Sequence, residues 1–190
     1  FMGEYPDVHV ELLLNDRFVD AIEEGFDITL RIAEPAYLTS LITREIVPAR
    51  RVLCASPEYV ARHGEPETPA DLKQHRCLQY GYSGVASQWR LNGPDGERAW
   101  SINCVMWSNN GDVLKAAAVA GQGIALLPTF IVGSDLQAGT LRSALGDYPP
   151  ADLSLAAMYP RHRHLSAKVR LFLELLEQRF GGRPYWELVM

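Results

Sequence analysis

The stretch from Ser108 to Pro128 limits the possible folds more than any other part of this sequence. It reads in order as a polar loop, a short helix, a tight glycine turn and a buried strand. Asn109 or Asn110 supplies an N-cap, because a short amide side chain accepts a bond from an orphan N–H of the first helical turn. Val113 to Ala120 is rich in alanine, the best helix former. Gly121 then stands where a C′ residue takes positive φ, which glycine does without a Cβ clash. Gly123 to Leu127 is an apolar run too short for a helix and bounded by Gly and Pro, as a strand buried in a parallel sheet would be. A helix feeding straight into such a strand specifies an α/β architecture. Its N-terminus also offers N–H groups and the positive end of a dipole, a natural place for a small anion. The alternative is an ordinary capped helix in an α/β core.

The alternation of Val8, Val10, Leu12 and Leu14 predicts a strand. Asn15 or Asp16 then caps a helix carrying Phe18, Val19 and Ile22, which stops at Gly25. Phe26 to Ile32 alternates again. Strand, helix and strand together predict a parallel pair joined by a right-handed crossover. Ala36 to Thr43 reads as irregular loop, and Arg50 to Ala55 as a strand. Ser56-Pro57-Glu58 is a helix start, with a hydroxyl N-cap, proline at N1 and an acid in the first turn. That helix ends near Gly64, and Thr68-Pro69-Ala70-Asp71 starts a second one. Cys77 to Tyr80 is a brief strand. Gln88–Asn92 and Arg98–Met106 flank a glycine turn as a hairpin. Thr129 to Gln137 forms a helix closing at Gly139, and Thr140 to Leu145 and Leu153 to Tyr159 are strands. Ser166 caps a last helix whose Val169, Phe172, Leu173, Leu176 and Phe180 make one apolar stripe.

Composition narrows the function classes. At 190 residues, 47% hydrophobic and 22% charged, the sequence has ample material for a core. A net charge of −5 argues against a nucleic-acid-binding surface. No apolar run is long enough to span a membrane. Phe1 to Pro6 has neither the basic start nor the apolar core of a signal peptide. Cys54, Cys77 and Cys104 are odd in number and sit in apolar runs, which fits reduced thiols in a cytoplasmic protein. No nucleophile elbow, Walker loop or dinucleotide fingerprint is present, and Tyr82-Ser83-Gly84 reads as a turn. Arg161 to His164 places two imidazoles at alternate positions without a cysteine or carboxylate pair at ligand spacing, so it reads as a solvated basic loop. No metal and no cofactor is expected. The aromatics Tyr80, Tyr82, Trp89, Trp100 and Trp107 are mostly packing groups, with one or two free to line a pocket. Arg31, at the end of a buried strand, either pairs with a ligand carboxylate or with Glu34.

Four blocks together carry a resemblance. Tyr5-Pro6-Asp7-Val8 with Asp20 to Ile32, Arg51 to Tyr59, and Ala120 to Pro128 are similar, in order and spacing, to the effector-binding domain of LysR-type transcriptional regulators. The resemblance implies a two-lobed α/β fold like type II periplasmic binding proteins, with a small ligand in the cleft. Residues 1–50 and 157–182 would form lobe I, residues 51–156 lobe II, and 183–190 a tail. The first strand and most of the first helix of lobe I have no counterpart in the sequence, so the family's serine or threonine effector contact on that strand has none either. Position by position, the resemblance assigns the lobe I cleft edge to Asn15, Arg31, Ile32 and Ala33. It assigns the lobe II edge to Ser108, Asn109, Asn110 and Gly111, and Tyr80 is a further candidate. It further implies a bacterial, non-enzymatic sensor of a small, anionic metabolite and an antiparallel homodimer, tetrameric in an intact protein. Val8–Leu14 and the helix Gly111–Ala120 would contribute to that association. DNA would be contacted only through a winged helix-turn-helix N-terminal to this segment. A transporter's solute-binding protein is the alternative on the same fold.

Overall fold

The structure, a computed structural model, describes residues 1–14, 25–33, 41–83, 87–160 and 166–181. The elements run β1 (Thr29–Ala33), β2 (Ile42–Ala49), β3 (Arg51–Ala55), α1 (Pro57–His63), β4 (Arg76–Tyr80), β5 (Gln88–Gly93), β6 (Gly96–Ser101), β7 (Asn103–Ser108), α2 (Gly111–Val119), β8 (Ile124–Pro128), α3 (Thr129–Ala138), β9 (Arg142–Ala144), β10 (Leu153–Tyr159) and α4 (Ala167–Phe180). They fall into two compact units: the described residues of Phe1–Pro48 with Leu153–Pro184, and those of Ala49–Asp152.

The Ala49–Asp152 unit is built on a five-stranded sheet in the order β7-β4-β8-β3-β9. β4 runs parallel to β7 and to β8, whereas β3 runs antiparallel to β8 and β9. Successive residues of a strand point to opposite faces, and the core divides accordingly. Leu53, Cys77 and Ile124 enter one buried cluster with Tyr59, Leu72, Trp89 and Leu91. Their neighbours Cys54, Leu78 and Ala125 enter another with Leu114, Ala118, Leu127 and Val132 from α2, β8 and α3. Each fully buried leucine side chain is worth about 1.5–3 kcal/mol of transfer free energy. Burial also pushes the Cys54 and Cys77 thiols up to about 12, and all three cysteines are free.

Local signals set the helix ends as expected. Ser56 Oγ accepts from Tyr59 N, and Gly64 ends α1 at φ 81°. The Asp71 carboxylate accepts from the backbone N–H and the hydroxyl of Thr68, which hold that carboxyl below its ordinary pKa, and also from the backbone of Glu67. The helix it starts is a single 3₁₀ segment, Pro69–Lys73. Ser166 caps α4.

The Phe1–Pro48 and Leu153–Pro184 unit holds a three-stranded sheet, β1-β10-β2. α4 covers it through Val169 and Leu173, packed with Ala157, Tyr159, Ile42 and Ile46. Three expectations are corrected here. Val8–Leu14 is not a strand, and Val10, Leu12, Leu13 and Leu14 are exposed. The parallel pair built on it is therefore absent, and β1 instead runs antiparallel to β10, with Arg31 opposite Ala156. Ile42–Ala49 is a strand where the sequence suggested loop as far as Thr43. Its pattern is obscured by Pro48, tolerated because β2 is an edge strand, and by Arg44, which faces inward to pair with Glu177 of α4.

A further correction concerns Arg98–Met106, expected as one strand. The chain breaks at Ile102: β6 pairs with β5, whereas β7 leaves the hairpin and pairs in parallel with β4. Ile102 is buried in the core at this change of partner. The expected helix from Asn15 or Asp16, the loop residues 36–40, the Arg161–His164 run and the tail 183–190 lie outside the described residues.

Candidate functional site

The carboxyl ends of β4 and β7 lie side by side. Tyr80 and Ser108 are register partners, and Gly81 N donates to Ser108 O at 2.9 Å. Parallel strands bring their loops out at one edge, the usual place for a ligand in an open α/β sheet. Ser108, Asn109, Asn110 and Gly111 form the link from β7 into α2, so these four residues and Tyr80 are gathered together. Tyr82 joins them: its hydroxyl accepts from Asn109 Nδ2 at 3.2 Å. Tyr80 is 47% exposed and Tyr82 54% exposed, so two aromatic rings stand open beside the amides. Tyr82 was legible only as one of a cluster of aromatics, because its contact with Asn109 spans 27 residues.

The N-terminus of α2 differs from the expected open anion cradle. Asn110, not Asn109, is the N-cap, and its Oδ1 accepts from Asp112 N at 2.9 Å and Val113 N at 3.2 Å. Ser108 Oγ accepts from Asn110 N at 3.1 Å. Three donors that an anion would have used are thus taken up by side chains. Asp112 in the first turn, paired with Lys115, adds negative charge where an anion would sit. Beside this terminus stand the Asn109 amide, bonded to the Tyr82 hydroxyl, and the exposed ring of Tyr80. Gly111 is buried, and a β-carbon there would collide with Ile131 Cδ1 of α3.

In the other unit, Thr29, Arg31 and Ala33 share one face of β1, whereas Ile32 points to the opposite face and is 43% exposed. Among the described residues the buried Thr29 Oγ1, on the face of Arg31, has no hydrogen-bond partner. Asn15, the remaining expected residue on this side, lies outside the described residues, as does Glu34.

A separate cavity of about 510 Å³ is lined by Glu65, Pro66, Glu67, Leu145, Gly146, Asp147 and Tyr148. Its three carboxylates would repel an anionic ligand. Among the described residues no cluster of His, Cys, Asp or Glu could hold a metal ion, and no helix is long and apolar enough to cross a membrane.

Residues 1–181 match the family described as the LysR substrate binding domain. An uncharacterized HTH-type transcriptional regulator of Haemophilus influenzae is 36% identical over 171 residues, covering 89% of this chain and 58% of that protein. The HTH-type transcriptional regulator DmlR of Escherichia coli is 34% identical over 182 residues, covering 93% of this chain and 57% of that protein. The chain therefore spans a little under three fifths of the length of these relatives. Among solved structures, the regulatory domain of CrgA, a LysR-type transcriptional regulator from Neisseria meningitidis, superposes with a TM-score of 0.81 at 27% identity, covering 95% of this chain and 88% of that one. Full-length AphB, the Vibrio cholerae virulence activator, gives 0.79 at 29% identity over 92% of this chain and 59% of that one.

Proposed function

This chain belongs to the LysR substrate-binding domain family, the effector-binding part of LysR-type transcriptional regulators, and from that premise we propose that it senses a small organic acid. The observation that carries the reading is the cluster at the ends of β4 and β7, where Tyr80, Tyr82, Ser108 and Asn109 converge on one exposed edge. The capped α2 terminus moves the anion-binding role away from the helix dipole. The loop supplies neutral hydrogen bonds and an aromatic surface; Arg31 supplies the positive charge for a carboxylate. That one ligand engages residues of both units is carried over from the family resemblance. Such a ligand changes a regulator's activity only by its differential affinity for two arrangements.

The chain is read as a sensing domain and not as an enzyme, since its relatives are named transcriptional regulators. The same names favour a cytoplasmic regulator over a transporter's solute-binding protein. Contact with DNA would belong to a helix-turn-helix domain such as those relatives are named for. Self-association would use α2 and β7, where Val105, Trp107, Val113 and Val119 are exposed.

The test is a thermal-shift screen of aliphatic and aromatic mono- and dicarboxylates. A ligand at a hundredfold excess over its Kd stabilises by about 2.7 kcal/mol. Arg31→Ala and Asn109→Ala should each remove that shift. A carboxylate that stabilises both variants as fully as the wild type would overturn the assignment of these residues.

A further inference from the structure

The chain passes between its two units at Pro48/Ala49 and again at Asp152/Leu153. Within the Ala49–Asp152 unit the first passage is bonded to the first turn of α3, and the second is bonded to the first. Thr129 is buried, and its backbone N–H and its hydroxyl both donate to the carbonyl of Arg50, at 2.9 and 3.3 Å. The next residue, Arg51, reaches across a hundred positions of sequence: its Nε and Nη2 both donate to Ala151 O, at 3.0 and 2.6 Å. One turn of helix therefore holds the first passage, and a guanidinium fork joins the first passage to the second. The same turn meets the candidate site from the other side, because the end of the Ile131 side chain packs over Gly111, where a β-carbon would have to push it aside.

We infer that the first turn of α3 is a conformational joint, linking the Ser108–Gly111 loop to both points where the chain leaves this unit. Gly111 packs against Ile131, Ile131 lies two residues from Thr129, Thr129 holds Arg50, and Arg51 holds Ala151. Packed elements of this kind shift between discrete arrangements and do not deform smoothly. A ligand that repositions the β7–α2 loop therefore displaces α3 and loosens or tightens the two passages together. The device rests on the loop being a binding site, but its mechanical part does not.

Amide hydrogen exchange on the ligand-free protein tests that mechanical part, because local opening reports the stability of each segment. Thr129→Val should speed exchange in residues 50–55 by about tenfold, the effect of losing one buried hydrogen bond, while β4 and β5 stay as in the wild type. Thr129→Ser keeps the hydroxyl and should restore slow exchange. Gly111→Ala should alter the same 50–55 segment from the far side of the joint, and the double variant should depart from additivity. Should Thr129→Val fail to fold, Arg51→Met supplies the second variant and should speed exchange at residues 152–154. Unchanged exchange at 50–55 in Gly111→Ala, strict additivity, or acceleration spread evenly over the unit would overturn the joint. A coupled response with no stabilising carboxylate would instead keep the joint and remove the binding site.

Discussion

Asn110 separates the two roles that its loop could play. Its Oδ1 caps α2 by accepting from Asp112 N and Val113 N, and the residue is exposed, so water can partly replace it. Removing an Asn cap costs about 0.5–2 kcal/mol. Exposure places Asn110→Ala near the middle of that range, about 1 kcal/mol, or about 2–4 °C in Tm for a chain of this size. Asn110→Asp should behave differently, because aspartate caps as well as asparagine and its charge favours the helix N-terminus by about 0.3–1 kcal/mol. That variant should be as stable as the wild type or slightly more so. If a ligand's carboxylate sits at this terminus, Asn110→Asp must nevertheless lose binding through like-charge repulsion. If the carboxylate sits on Arg31 instead, Asn110→Asp should keep most of the affinity while Arg31→Ala loses it. Urea unfolding and isothermal titration with a screened carboxylate read the two quantities on the same samples. A wild-type Tm for Asn110→Ala would refute the cap argument. Complete loss of binding in Asn110→Asp would refute the assignment of the anion to Arg31.

Three further outcomes are expected. His75 is buried with its Nδ1 3.2 Å from the Tyr59 hydroxyl, which already accepts from Arg76 N. Desolvation holds its pKa below 6.5 against the pull of Asp71, so the unfolded chain takes up the proton first. The urea midpoint should therefore be flat above pH 6.5 and fall as pH drops through the folded pKa, and His75→Gln should flatten that fall. Cys54 and Cys77, with thiols pushed up to about 12 by burial, should resist a thiol-specific disulfide reagent at pH 8 in the native protein and react once it is unfolded; rapid native labelling of either would contradict the packing. In Gly123→Ala the new β-carbon would lie 2.5 Å from the Arg76 carbonyl oxygen, which is backbone and cannot turn aside. The β4–β8 ladder should be forced apart at a cost of about 1–3 kcal/mol, seen as a lower urea midpoint.

The amino-acid sequence by itself determined the features whose causes lie within a few residues. The caps at Ser56 and Ser166, a cap at Asn109 or Asn110 that the structure resolves to Asn110, and the left-handed glycines at 121 and 139 follow from groups that reach only three or four positions. The family blocks were equally legible, because they are local strings at fixed spacing. Strand pairing was not, since alternation says that a segment can be a strand and not what it pairs with. Thr29 finds its partner at Met158, Arg51 finds Pro128 and Leu126 finds Leu53, while Val8–Leu14 alternates just as well and forms no strand. The site divides in the same way. Ser108 to Gly111 could be read from a loop and a helix start. Only the tertiary fold set Tyr80 beside Ser108, hydrogen-bonded Asn109 to Tyr82 and filled the α2 terminus with its own side chains, because those bonds are decided by which strands and loops are brought together across the sheet.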